Sequence, residues 1–137
     1  MTLLGGVGGV GGVGGVGVDL VEVARVRVML AEKGGHVFDR LLTPGEAAYC
    51  RSKADPAESV AVRLAAKEAV YKALKGSAAA RGIGRREIEV VRAEDGHPEV
   101  ALSGLTAARA CEMGITGIFV SLSHTHAAAV AVAVASR

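Results

Sequence analysis

At 137 residues the chain has the length of one domain with a real core, and a formal charge of +2 gives no global field that would draw nucleic acid. Half of the residues are hydrophobic but only 3% are aromatic, so the core must be built from small aliphatic side chains, chiefly Ala and Val. The two cysteines, Cys50 and Cys111, are too few for the disulfide framework of a small secreted domain and are expected as reduced, buried thiols of a cytoplasmic protein.

The stretch from Met1 to Val18 is uncharged but half glycine, which gives too little transfer energy for a membrane span, and it lacks the basic start of a signal peptide. Between Gly5 and Gly17 a Gly-Gly-Val unit repeats. A phosphate-binding glycine loop would need a strand before it and a helix start after it. Only Met1 to Leu4 precede this repeat and an extended segment follows, so residues 1–13 are expected to form a flexible extension to a single domain over 14–137.

Val16 to Val21 reads as a short strand in which Asp19 interrupts an apolar run, and a helix is expected from Glu22 to about Lys33, stopped by Gly34-Gly35. Thr43-Pro44-Gly45-Glu46 opens another helix, with Thr as cap, Pro first and Glu three residues on. The strongest helical signal runs from Pro56 to Leu74 behind an Asp55 cap, with Val62, Ala65, Ala66, Ala69, Val70, Ala73 and Leu74 at helical spacing and Gly76-Ser77 as its stop. Strands are then predicted at Glu87–Val91 and Pro98–Leu102 around an Asp95-Gly96 turn. A helix over Leu105–Met113, ended by Gly114, precedes closing strands at about Ile118–Ser123 and Ala128–Ala135. Helices mostly first and antiparallel strands mostly later define an α+β fold.

Several residues stand out chemically. Asp19 inside a strand costs several kcal/mol to desolvate unless it is paired or holds a cation. Glu68 raises the same question among Ala65, Ala66 and Ala69, whose small side chains let a ligand or another backbone come close. Arg63 and Lys67, and Glu68 and Lys72, are each four apart, so each pair shares a helix face; two surface pairings on an amphipathic helix account for that spacing equally simply. Ser123-His124 is a poor nucleophile–base pair, because adjacent strand residues point to opposite faces. Hydroxyl and imidazole groups at a strand end suit an anion better.

Three segments, taken in order, resemble the holo-acyl-carrier-protein synthases, a group of 4′-phosphopantetheinyl transferases. They are Gly15-Val16-Gly17-Val18-Asp19-Leu20-Val21-Glu22, Arg63-Leu64-Ala65-Ala66-Lys67-Glu68-Ala69-Val70-Tyr71-Lys72-Ala73 and Val120-Ser121-Leu122-Ser123-His124-Thr125. Arg40-Leu41-Leu42-Thr43-Pro44-Gly45-Glu46 is similar to the segment between the first two, and the likeness spans roughly residues 14 to 135.

The resemblance implies an antiparallel sheet packed on a long central helix. It implies transfer of the phosphopantetheine arm of coenzyme A to a serine of an acyl carrier protein, with Mg2+ held by Asp19 and Glu68. Lys72 then matches a proton acceptor or a stabiliser of phosphate charge. Arg63, Lys67, Gly76, Ser123, His124 and Thr125 match positions that hold coenzyme A. Family members are typically homotrimers with each site between two subunits, and Arg25, Arg27 and Arg40 are candidate contacts for the acidic carrier protein. Three departures stand in the sequence: Phe38 lies one place later than the family's usual aromatic, where this chain has Val37, Lys75 precedes Gly76 where a glycine usually comes directly, and the glycine-valine extension has no counterpart in the family pattern. A magnesium-dependent nucleotide pyrophosphohydrolase and a non-catalytic trimeric coenzyme A-binding scaffold are the alternative readings of the same residues.

Overall fold

A long helix and a three-stranded sheet meet across a seam of glycine and alanine. The computed structural model describes residues 12–74 and 84–137, so most of the glycine repeat and the expected helix stop at Gly76-Ser77 lie outside the described residues. In chain order the elements are β1 (Val13–Glu22), α1 (Val23–Lys33), α2 (Gly35–Leu41), α3 (Pro44–Arg51), α4 (Pro56–Leu74), a 3-10 turn (Arg85–Glu87), β2 (Ile88–Arg92), β3 (Pro98–Leu102), α5 (Gly104–Glu112), β4 (Gly117–His124) and β5 (Ala128–Ser136). Strands β1, β5 and β4 form one antiparallel sheet with β5 central, and β2 pairs with β3 in a second. The expected α+β architecture, an antiparallel sheet on a central helix, is what the chain adopts, and the structures it matches share it.

Local signals decide most of the ends. Gly34, at φ 54°, stops α1 through a hydrogen bond from its N–H to the Leu30 carbonyl. Thr43 and Glu46 form a reciprocal capping box at the start of α3. Asp55 Oδ1 accepts from Ala57 N–H at the start of α4, and Gly96, at φ 89°, turns the β2–β3 hairpin. The short helix α2 has no counterpart in the sequence reading: seven residues beginning with glycine carry too little periodicity to register.

The register explains the composition. On the face of the sheet turned to α4, Gly17, Asp19 and Val21 of β1 stand beside Ala133, Ala131 and Ala129 of β5. Those three alanines and Ala135 are fully buried. With no side chain at two points of β1, α4 lies almost on the strand: a Cβ built on Gly15 would come 1.9 Å from the Ala73 carbonyl oxygen, and one on Gly17 1.9 Å from that of Ala69. The last glycines of the repeat are therefore packing residues, and the strand starts at Val13, inside the stretch read as an extension. Gly17→Ala should cost about 1–3 kcal/mol in urea unfolding, because the contact atom is helix backbone and cannot rotate away; an unchanged midpoint would show that the seam is looser than described.

The opposite face of the sheet is apolar and open. Val16, Val134 and Phe119 form one cross-strand row and Val18, Val132 and Ser121 the next, with Val16, Val18, Leu20 and Phe119 each more than half exposed. Among the described residues no helix is long and apolar enough to cross a membrane. Cys50 is buried in the core, where burial pushes its thiol pKa up, while Cys111 is exposed on α5, contrary to the expectation of two buried thiols.

Candidate active site

The close seam delivers Asp19 to α4. Lys72, one turn beyond Glu68, donates from Nζ to Asp19 Oδ1 at 3.0 Å and to the Val18 carbonyl at 2.9 Å. Asp19 and Glu68 both line one cleft of about 730 Å³, together with Glu22, Arg25, Met29, Leu64 and Arg85. Glu68 is bound by Arg85, whose Nε donates to Oε1 at 2.7 Å and whose Nη2 reaches the same oxygen. Two carboxylates from distant segments thus face one cleft, each already countered by a side-chain cation. Glu22 and Arg85 were not singled out from the sequence; Glu22 stands next to the Asp19 strand motif, whereas nothing local marks Arg85.

This donor set fits magnesium. The carboxylates are hard oxygen ligands, no imidazole or thiolate lines the cleft among the described residues, and the pairing with Lys72 and Arg85 shows that the site draws positive charge. Among the described residues no cluster of three or more metal-ligating side chains occurs. Two protein carboxylates suit an ion that keeps much of its coordination for water and phosphate.

A second cleft, of about 630 Å³, opens elsewhere on α4 and is lined by Tyr49, Lys53, Glu58, Arg63, Arg92 and His124, among others. Three cations surround the Tyr49 ring, with Arg63 at 4.3 Å from its centroid, Lys53 at 4.6 Å and Arg92 at 5.9 Å. Burial pushes the Tyr49 phenol pKa up, but the Lys53 hydrogen bond and the charges of Arg92 and Lys53 outweigh it and hold the pKa below its ordinary value. Arg63 is buried, donates from Nη1 to the Ser59 carbonyl at 3.2 Å, and leaves Nε without a partner among the described residues. His124 comes within 3.4 Å of Glu58 from the end of β4, and His126 within 3.1 Å. Ser123 lies opposite Val130 on the open face and His124 opposite Ala129 on the helix side, which separates the two as a dyad. Thr125 closes the β4–β5 turn, its hydroxyl accepting from Ala127 N–H and Ala128 N–H.

One expected ligand is spent inside the protein. Helical spacing puts Lys67 on the same face as Arg63, yet the Lys67 side chain is fully buried and its ammonium sits 2.6 Å from Glu46 Oε1. It also donates to the carbonyls of Arg85, at 2.8 Å, and Ile88, at 2.5 Å. Desolvation holds the Lys67 pKa below the ordinary lysine value against the pull of Glu46. All three ammonium protons have protein acceptors, so Lys67 is a structural cation and not a phosphate ligand in this conformation. The spacing misleads because α3 covers this part of α4 and brings Glu46 with it.

Of the three expected docking arginines, Arg25 lines the carboxylate cleft and Arg40 lines a groove with Met29, Lys33 and Val37. Arg27 is bound to Asp55, which lines the second cleft. Gly76 lies outside the described residues.

The 4′-phosphopantetheinyl transferase superfamily model matches residues 15–133, and the chain belongs to that family. The holo-[acyl-carrier-protein] synthase of Desulforudis audaxviator is 44% identical over 118 residues, covering 86% of this chain and 88% of that protein. The holo-[acyl-carrier-protein] synthase of Geobacter sp. strain M21 is 41% identical over 120 residues, covering 88% and 95%. Among solved structures, holo-[acyl-carrier-protein] synthase from Neisseria meningitidis superposes with a TM-score of 0.80 at 28% identity over 90% of this chain and 98% of that one. The Helicobacter pylori enzyme in complex with coenzyme A gives 0.74 at 27% over 88% and 98%. The resemblance drawn from the three motifs is borne out, and the chain is an enzyme of the holo-[acyl-carrier-protein] synthase type.

Proposed function

We propose that the enzyme transfers the 4′-phosphopantetheine arm of coenzyme A to a serine of an apo acyl carrier protein in the cytoplasm, releasing adenosine 3′,5′-bisphosphate. The observation that carries this reading is that Asp19 of β1 and Glu68 of α4 line one cleft, with Lys72 of α4 bound to Asp19. Asp19 and Glu68 would hold Mg2+, which when bound neutralises charge building on the leaving 5′-phosphate of adenosine 3′,5′-bisphosphate. The serine hydroxyl attacks the β-phosphorus, the bond to the bridging oxygen breaks, and the hydroxyl proton passes to a water, or to Lys72 once its ammonium has given up a proton; as an ammonium Lys72 stabilises phosphate charge. Lys72 also holds Asp19 in place, and most of the acceleration comes from positioning and fixed charge. Arg63 and His124 would bind coenzyme A at the second cleft, joined by Lys53 and Arg92, which add positive charge for its phosphates, while Ser123 and Thr125 flank His124 in the chain without lining that cleft and would reach the coenzyme only beyond it. Arg25 and Arg40, on the α1–α2 side, suit docking of an acidic carrier protein.

Within one protomer the carboxylates and the coenzyme-binding cations line different clefts. This split, and the open valine face of the sheet, support a homotrimer in which each site takes its carboxylates from one subunit and its cations from the next. Incubation with coenzyme A, Mg2+ and apo carrier protein should add the mass of one phosphopantetheine arm, and no gain with several carrier proteins would refute transfer. For the shared site, Glu68→Gln and His124→Ala chains, each inactive alone, should recover part of the wild-type rate when unfolded and refolded together. A mixture as inactive as its parents would place the whole site in one protomer.

A further inference from the structure

The Arg85–Glu68 pair is an unusual feature to find at a carboxylate expected to hold a metal. Arg85 stands at the first position of the 3-10 turn, and its backbone is not free: the buried Lys67 ammonium grips its carbonyl at 2.8 Å and that of Ile88 as well. The guanidinium lies over the Tyr71 ring at 5.1 Å and reaches Glu68 with two nitrogens, while remaining about one third exposed toward the cleft. The anchor is rigid and the side chain is partly free, which is the construction of a group that can change partners.

We propose that Arg85 is a further binding residue of this enzyme: it serves as the resident counter-cation of Glu68 in the free protein, yields that carboxylate to the divalent ion, and turns to the diphosphate of the incoming coenzyme. The inference rests on the proposed transfer reaction. Its physical basis is competition for a single oxygen. Both donors of Arg85 fall on Glu68 Oε1, so a cation bound through that oxygen contends with the guanidinium for its lone pairs, and one bound through Oε2 still meets the guanidinium charge. Released, the planar fork has the geometry for a bidentate phosphate contact. The exchange also keeps Glu68 countered at every stage.

The test is Arg85→Gln, with Arg85→Lys as its partner, each read by calorimetry. Titration of free protein with MgCl2 should show Arg85→Gln binding the ion severalfold more tightly than wild type, because the competing guanidinium is gone. Titration with coenzyme A at saturating Mg2+ should show about tenfold weaker binding, with Arg85→Lys falling between the two for both constants. Melting curves should stay near wild type, since the pair is partly exposed. Arg85→Gln with both constants unchanged, or with metal binding weakened, overturns the proposal. That result alongside a wild type that still transfers the arm sinks only the role of Arg85, whereas a wild type that neither binds coenzyme A nor modifies a carrier protein sinks the transfer reaction as well.

Discussion

Glu68→Gln is expected to lower the transfer rate about a thousandfold while leaving the fold intact. The amide keeps the size and one acceptor of the carboxylate but removes its charge, and a hard divalent ion discriminates steeply against a neutral amide. Stability should barely move. The Glu68 side chain is 30% exposed and its partner Arg85 34%, and an ion pair wetted to that degree contributes at most about 1 kcal/mol. The measurement pairs a mass-resolved transfer assay at several Mg2+ concentrations with a urea melt. A defect that excess Mg2+ partly repairs would identify lost metal affinity. A variant keeping more than about a tenth of wild-type activity would remove Glu68 from the metal site.

Most of the fold was legible because its signals are local. Thr43-Pro44-Gly45-Glu46 carries its own cap, Asp55-Pro56 starts α4, and Gly34, Gly96 and Gly114 take the positive φ values that end elements or turn them. Asp19 and Glu68 were legible for a different reason: a carboxylate set in an apolar strand, or among alanines on a buried helix, needs a physical explanation in any fold. What escaped was long-range. Lys67 looks like a surface residue because the sequence near it says nothing of Glu46, and Arg85 looks like part of a basic loop because nothing nearby points to Glu68. Gly15 and Gly17 belong to the Gly-Gly-Val repeat, and nothing local says that their missing side chains are what let α4 settle on β1. The division of cations and carboxylates between two clefts is a property of the packed chain, so spacing alone could not separate Arg63 from Glu68.

Lys67→Met tests the buried pair and is expected to cost about 3–5 kcal/mol of stability, the usual penalty for stranding one partner of a desolvated ion pair. Met matches the length and shape of the lysine stem, so the loss reports charge more than packing. With the ammonium gone, Glu46 would face the core with only two backbone donors, Thr43 N–H at 2.9 Å and Val90 N–H at 2.8 Å, and the carbonyls of Arg85 and Ile88 would lose their partner. Adding Glu46→Gln should restore part of the stability, because a neutral amide no longer carries a buried charge, though not all of it, because one amide end cannot accept from a backbone N–H. A phosphate-binding lysine would behave otherwise. Its loss would raise the KM for coenzyme A at unchanged stability, and Glu46→Gln would repair nothing. Urea melts of the single and double variants, set beside KM for coenzyme A, separate these outcomes.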